Sequence, residues 1–153
     1  MNHDMWRHGL VLHHVGIGVL DLEAAVRAYE ALGHQCLVQA DDPFLKIRVA
    51  FLSPGPGAAL IEVLAPLGEQ GPLSSLVKRG ILPAPYHTGY AVNDIELVVA
   101  TLSEFGFRAI SHPTPSTTLG GALIVFLYHA AAGLLELVQN PAIGPTPAIA
   151  SGS

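Results

Sequence analysis

The chain states one pattern twice, and that repeat limits what it can fold into more than any other feature. "HHVGIGVLDLEAAVRAYEALG", beginning at His13, is matched without gaps seventy-three residues later by "YHTGYAVNDIELVVATLSEFG", beginning at Tyr86. His14 aligns with His87, Gly16 with Gly89, Val19 with Val92, Asp21 with Asp94, Glu23 with Glu96 and Gly33 with Gly106. Further on, "VAFLSPGPGAALIEVLAP" from Val49 resembles "IVFLYHAAAGLLELVQNP" from Ile124, and a one-residue slip in the turn sets Glu62 against Glu136. Half of a 153-residue chain buries too little surface to be secure alone, so the two copies are expected to share one fold.

Each copy reads as a strand, a helix and three more strands. His13 to Val19 is short and rich in β-branched residues, which suits a strand. Asp21 then stands where a helix N-cap belongs, its carboxylate able to accept from the first free backbone N–H groups. A helix is expected from Leu22 to Leu32, stopped by Gly33, because a left-handed residue after a helix costs glycine nothing. Asp94, a helix from Ile95 to Phe105 and Gly106 repeat the arrangement. Strands are expected at Gln35–Gln39, Lys46–Leu52 and Ala58–Leu64, then at Phe107–Ser111, Ala122–Tyr128 and Gly133–Val138, with "SPGPG" and "HAAAG" as turns.

The expected architecture is therefore α+β: two tandem βαβββ modules forming a curved, half-open barrel-like sheet with helices outside. The boundaries read as an N-terminal tail at 1–9, a first module at 10–66, a connecting helix and linker at 67–84, and a second module at 85–141. The closing "NPAIGPTPAIASGS" is rich in Pro, Gly and Ala without periodicity, which predicts a disordered tail at 142–153.

Half the residues are apolar and only 12% are charged, yet no apolar run approaches the roughly 18 residues that a membrane-spanning helix needs. So greasy a balance suggests a homodimer that hides apolar surface. Seven Lys and Arg stand against twelve Asp and Glu, with nothing denser than "KIR" or "KR", so neither nucleic acid nor an anionic membrane is an expected partner. The N-terminus lacks the basic-then-apolar pattern of a secretory signal, and the single cysteine, Cys36, cannot form an internal disulfide. A cytoplasmic protein acting on a small molecule is expected.

Alternate residues of a strand point to opposite sides. Val15, Ile17 and Val19 share one face and His14, Gly16 and Gly18 the other; Thr88, Tyr90 and Val92 oppose His87, Gly89 and Ala91. One side suits packing under a helix. The other delivers an imidazole followed by almost no side-chain volume, which suits a ligand cavity. Glu62 in "LIEVL" and Glu136 in "LLELV" are lone carboxylates in apolar strands, and burying such a charge unpaired costs several kcal/mol. If a pseudo-twofold axis relates the repeats, His14, Glu62, His87 and Glu136 converge. Two imidazoles and two carboxylates suit a divalent ion such as Co, Ni, Zn, Mn or Fe. His3, His8, His13, His34, His112 and His129 have no such repeat behind them and read as surface or structural.

At these residues the sequence resembles the vicinal oxygen chelate superfamily, the glyoxalase, bleomycin resistance and dioxygenase group. "LHHVGIGVLDLEAAVRAYEALG", "IEVLAPLGEQGPLSSLVKRG", "YHTGYAVNDIE" and "GLLELVQNP" fall in the order seen in its methylmalonyl-CoA epimerase branch and span most of the chain. The resemblance implies a glyoxalase-like fold, a divalent metal held by His14, Glu62, His87 and Glu136, and an isomerase or epimerase of an acyl, CoA-linked or 2-oxo substrate working through a metal-stabilised enolate. Its alternatives are a glyoxalase I-like lactoylglutathione lyase and a non-catalytic binding or resistance protein. The glutamate that serves the epimerases as base falls here on Pro43 or Phe44. Asp42 is the nearest carboxylate, and Glu62 or Glu136 would replace it by a glyoxalase-like route. A fourth protein ligand, Glu62, argues against the extradiol dioxygenases, whose iron is left open by two His and one Glu.

Overall fold

A computed structural model describes residues 9–147. The expectations for the first eight residues, His3 and His8 among them, and for 148–153 lie outside the described residues. The described chain is mixed α+β and divides into two compact units, one of residues 14–86 and the other of the residues on either side of it.

In the first unit β1 (Val11–Gly18, its start belonging to the other unit) leads to α1 (Leu22–Ala31), then to β2 (Gln35–Asp42), β3 (Ile47–Ser53), β4 (Leu60–Pro66) and the short α2 (Ser74–Lys78). The strand order is β2-β3-β4-β1, with β4 parallel to β1 and antiparallel to β3. Val19, Leu22 and Val26 pack on Ala50, Leu52, Val63 and Ala65, with Ile17, Ile61 and the thiol of Cys36 against them. Each fully buried Val or Leu of such a core contributes about 1.5–3 kcal/mol. Burial, and then the charge of Glu30, pushes the Cys36 thiol up, so it stays protonated and serves as packing.

The second unit runs β5 (Ala84–Val92), α3 (Ile95–Ser103), β6 (Arg108–Ala109), β7 (Thr114–Pro115), β8 (Leu123–His129) and β9 (Gly133–Gln139). β5 pairs parallel with β9, β9 antiparallel with β8, and β8 with both β6 and β7. Val92, Ile95, Val98, Val125, Leu127, Leu135 and Leu137 form its core, and Leu10 packs against it. The backbone before β1 is thus spent on the unit that follows in sequence. His13 is fully buried there, its Nε2 2.7 Å from the carbonyl of Ile143.

Both helix starts follow the capping argument. Asp21 Oδ1 accepts from Ala24 N at 3.0 Å and Asp94 Oδ1 from Leu97 N at 3.1 Å. Replacing Asp21 by Ala removes that acceptor from the first turn, and is expected to cost about 1 kcal/mol, read as a lower melting temperature, with a smaller loss for Asp21→Asn. Both helices end short of the predicted residue because the last turn tightens: Gly33 N bonds Glu30 O and Gly106 N bonds Ser103 O, three residues back, with both glycines at positive φ. The strand predicted at Phe107–Ser111 shrinks to two residues. Ile110 N still reaches Phe126 O, but Phe126 N donates to the Ser111 hydroxyl oxygen at 2.9 Å, and Pro113 stands in the gap before β7 resumes the ladder.

Candidate metal centre

The face opposite each helix-side core carries the unusual residues. On β4, Ile61, Val63 and Ala65 go to the core under α1, which turns Glu62 the other way; Gly16 of β1 stands beside it in register. On β9, Leu135 and Leu137 go to the core under α3, and Glu136 turns away beside Gly89 of β5. The duplication therefore reaches the level of individual strand pairs. In each, the glycine two residues after a histidine is set against a glutamate on the parallel neighbour.

His14, Glu62, His87 and Glu136 are all buried, and one ligand-type atom from each lies within 4.8 Å of the others. His87 Nε2 and Glu136 Oε2 are 3.2 Å apart. These four are the residues singled out from the repeat.

Asp42 is placed differently. It ends β2 opposite Ile47, and its Oδ1 accepts from Leu45 N at 2.9 Å, closing the turn that carries Pro43 and Phe44. Phe44 is 84% exposed at the tip of that turn. Ile47 and Phe51 are four residues apart on β3, and Phe51 faces Glu62, so Asp42 sits roughly 13 Å along the sheet from Glu62.

Two residues that the sequence reading passed over adjoin these ligand types. Phe51 is opposite Glu62 across β3 and β4, and its ring lies 5.5 Å from that of His14 at 86°. Phe126 is opposite Glu136 across β8 and β9, and its ring lies 6.1 Å from that of His87, also at 86°. The signal was present: each Phe is third in the repeated "VAFL" and "IVFL". The remaining described histidines do local work. His34 packs on Tyr29, the His112 carbonyl accepts from Thr114, and His129 Nδ1 accepts from Ala131 N and Ala132 N at 3.1 Å each.

Among the described residues no helix is long and apolar enough to cross a membrane. Of the cations that could meet an anionic substrate, Arg48 is committed elsewhere, its Nε 2.9 Å from Asp41 and its Nη2 3.1 Å from Glu23. The hydrogen bond to Asp41, then the charge of Glu23, holds that guanidinium above its usual range.

Known proteins resemble this chain in sequence and in fold. The chain is 33% identical over 119 residues to the ethylmalonyl-CoA/methylmalonyl-CoA epimerase of Cereibacter sphaeroides, covering 76% of this chain and 87% of that one. It is 29% identical over 138 residues to the mitochondrial methylmalonyl-CoA epimerase of Homo sapiens, covering 88% and 76%. The crystal structure of methylmalonyl-CoA epimerase from Mycobacterium tuberculosis superposes with a TM-score of 0.74 at 28% identity, covering 89% of this chain and 88% of that one. The model of the glyoxalase/bleomycin resistance protein/dioxygenase superfamily matches residues 13–126, the first repeat and the second as far as Phe126, and the chain belongs to that superfamily.

Proposed function

We propose that this protein is a divalent-metal-dependent epimerase of an acyl-CoA thioester of the methylmalonyl-CoA type. The observation that carries the reading is the buried group of His14, Glu62, His87 and Glu136. Ligand atoms about 2.1 Å from a shared ion stand roughly 3 to 4.2 Å from one another, and atoms gathered within 4.8 Å need only small movements to reach that spacing. Two neutral imidazoles and two carboxylates balance the charge of a divalent cation, and Co, Ni, Zn, Mn and Fe all accept such a set. Bound there, the ion would act as a Lewis acid and stabilise negative charge on an enolate oxygen.

The chain's own task is the proton. Epimerisation breaks the C–H bond next to the thioester carbonyl and remakes it on the other face, with no net change in atoms or electrons. Glu62 and Glu136 are the carboxylates in the group, and we assign proton removal and return to them. Asp42, roughly 13 Å along the sheet, lies beyond the reach of a carboxylate that must touch the substrate carbon. For the CoA phosphates the first unit offers Lys46, Lys78 and Arg79. Lys46 Nζ bonds Gln70 Oε1 at 3.1 Å, and Gln70, Ser74 and Lys78 line a cavity of about 430 Å³. A homodimer in the cytoplasm fits the high apolar content and the lone cysteine.

Elemental analysis of the purified protein, followed by methylmalonyl-CoA in deuterated water, tests the reading. About one divalent ion per chain and entry of deuterium at the α-carbon are expected. A protein that takes up no divalent metal, or one that is loaded yet leaves the α-proton in place, ends it. Glu62, at a position where some epimerases have Gln, favours one second reading, a glyoxalase I-like lyase. Turnover of methylglyoxal with glutathione, without exchange on the thioester, would select it.

A further inference from the structure

We infer that Phe51 and Phe126 are positioning residues that set the imidazole planes of His14 and His87 for the metal. The inference rests on the metal reading above. Each Phe lies outside the core under its helix, since neither is part of the apolar clusters around α1 and α3. Each faces the glutamate of its own strand pair, Phe51 opposite Glu62 and Phe126 opposite Glu136. Residues so opposed have Cβ atoms about 4.5–5.5 Å apart, which puts the ring in the same layer as the carboxylate. And each stands at 86° to the histidine of its half, with ring centres 5.5 and 6.1 Å apart.

Filling space would not require this recurrence. The surrounding side chains differ between "VAFLS" and "IVFLY", and Phe51 is fully buried whereas Phe126 is not, yet the angle to the imidazole is the same. An imidazole on a strand can turn about its outer torsion and exchange the two nitrogens it presents. On one side of each histidine the strand offers Gly16 or Gly89, which restrain nothing. A flat ring packed at right angles adds a restraint on the imidazole plane, and such pairs are worth more than their buried area alone. A branched aliphatic of similar volume fills the space without holding the plane.

The test compares the parent chain with Phe51→Leu, Phe126→Leu and Phe126→Tyr. Each is titrated with Co²⁺ and followed by visible absorption, with thermal melting of the metal-free proteins alongside. Each Leu variant is expected to bind Co²⁺ about five- to tenfold more weakly and to show a changed absorption envelope, which reports ligand geometry and not fold stability. Phe126→Tyr keeps the ring and is expected to keep the parent spectrum. Should Phe51→Leu fail to fold, Phe126→Leu decides alone. Leu variants that fold and match the parent in affinity and spectrum overturn the inference while leaving the metal reading intact. A parent that takes up no Co²⁺ overturns both.

Discussion

Replacing His87 by Ala is expected to weaken divalent-metal binding at least about a hundredfold, a larger loss than the 10- to 100-fold typical of residues that only support a ligand. His87 is buried, 3.2 Å from Glu136, within the group whose ligand atoms lie inside 4.8 Å of one another. Its removal leaves one imidazole and two carboxylates. The effect is read most directly as stability. A ligand at a thousand times its dissociation constant stabilises the folded state by about 4 kcal/mol, which for a chain of this size raises the melting temperature by roughly 10 °C. The parent should show such a rise with Co²⁺ or Zn²⁺ and lose it with a chelator. His87→Ala, binding metal at least about a hundredfold more weakly, should keep no more than about a third of that rise at the same metal concentration. Equal metal-dependent rises in both proteins would remove His87 from the site.

The second large effect concerns the proton. Glu62→Gln and Glu136→Gln keep the volume of the side chain and an oxygen that can ligate, but neither can accept the α-proton. General-base catalysis is worth about 10² to 10⁴ in rate, and since epimerisation needs transfer on both faces, either substitution should lower it by that order. Deuterium exchange separates the two roles. A variant that still exchanges the α-proton but no longer inverts the centre has lost the carboxylate of the opposite face. Asp42→Asn retains the oxygen that accepts from Leu45 N, so its turn should survive, and its rate should stay within about tenfold of the parent, as expected for a group not in contact with the substrate. A loss at Asp42 as large as at either glutamate would move the base to the β2–β3 turn.

The fold was legible where the controlling forces are local. The carboxylates of Asp21 and Asp94 meet backbone N–H groups only three residues away, and Gly33 and Gly106 take the positive φ that ends a helix, so sequence spacing is enough to find them. The two faces of β1 and β5 were equally plain, because strand alternation needs no knowledge of the partner. The shortness of β6 and the presence of β7 were not, because Ser111 replaces a backbone acceptor for Phe126 N, and a hydroxyl substituting in a ladder leaves no periodic mark. Nor was the bond between His13 and Ile143, since nothing in the chemistry of either residue selects a partner 130 positions away.

The candidate site divides in the same way. His14, Glu62, His87 and Glu136 could be chosen from the sequence, since a histidine and a glutamate at odds with their apolar strands, and repeated, are anomalies of composition that burial makes costly. Their gathering within 4.8 Å and the quarter-turn of Phe51 and Phe126 against the imidazoles were decided by tertiary structure alone. Strand register sets these, and register is a collective outcome of every pair along the ladder: a slip of one residue would have sent each of the four side chains of the candidate site to the opposite face.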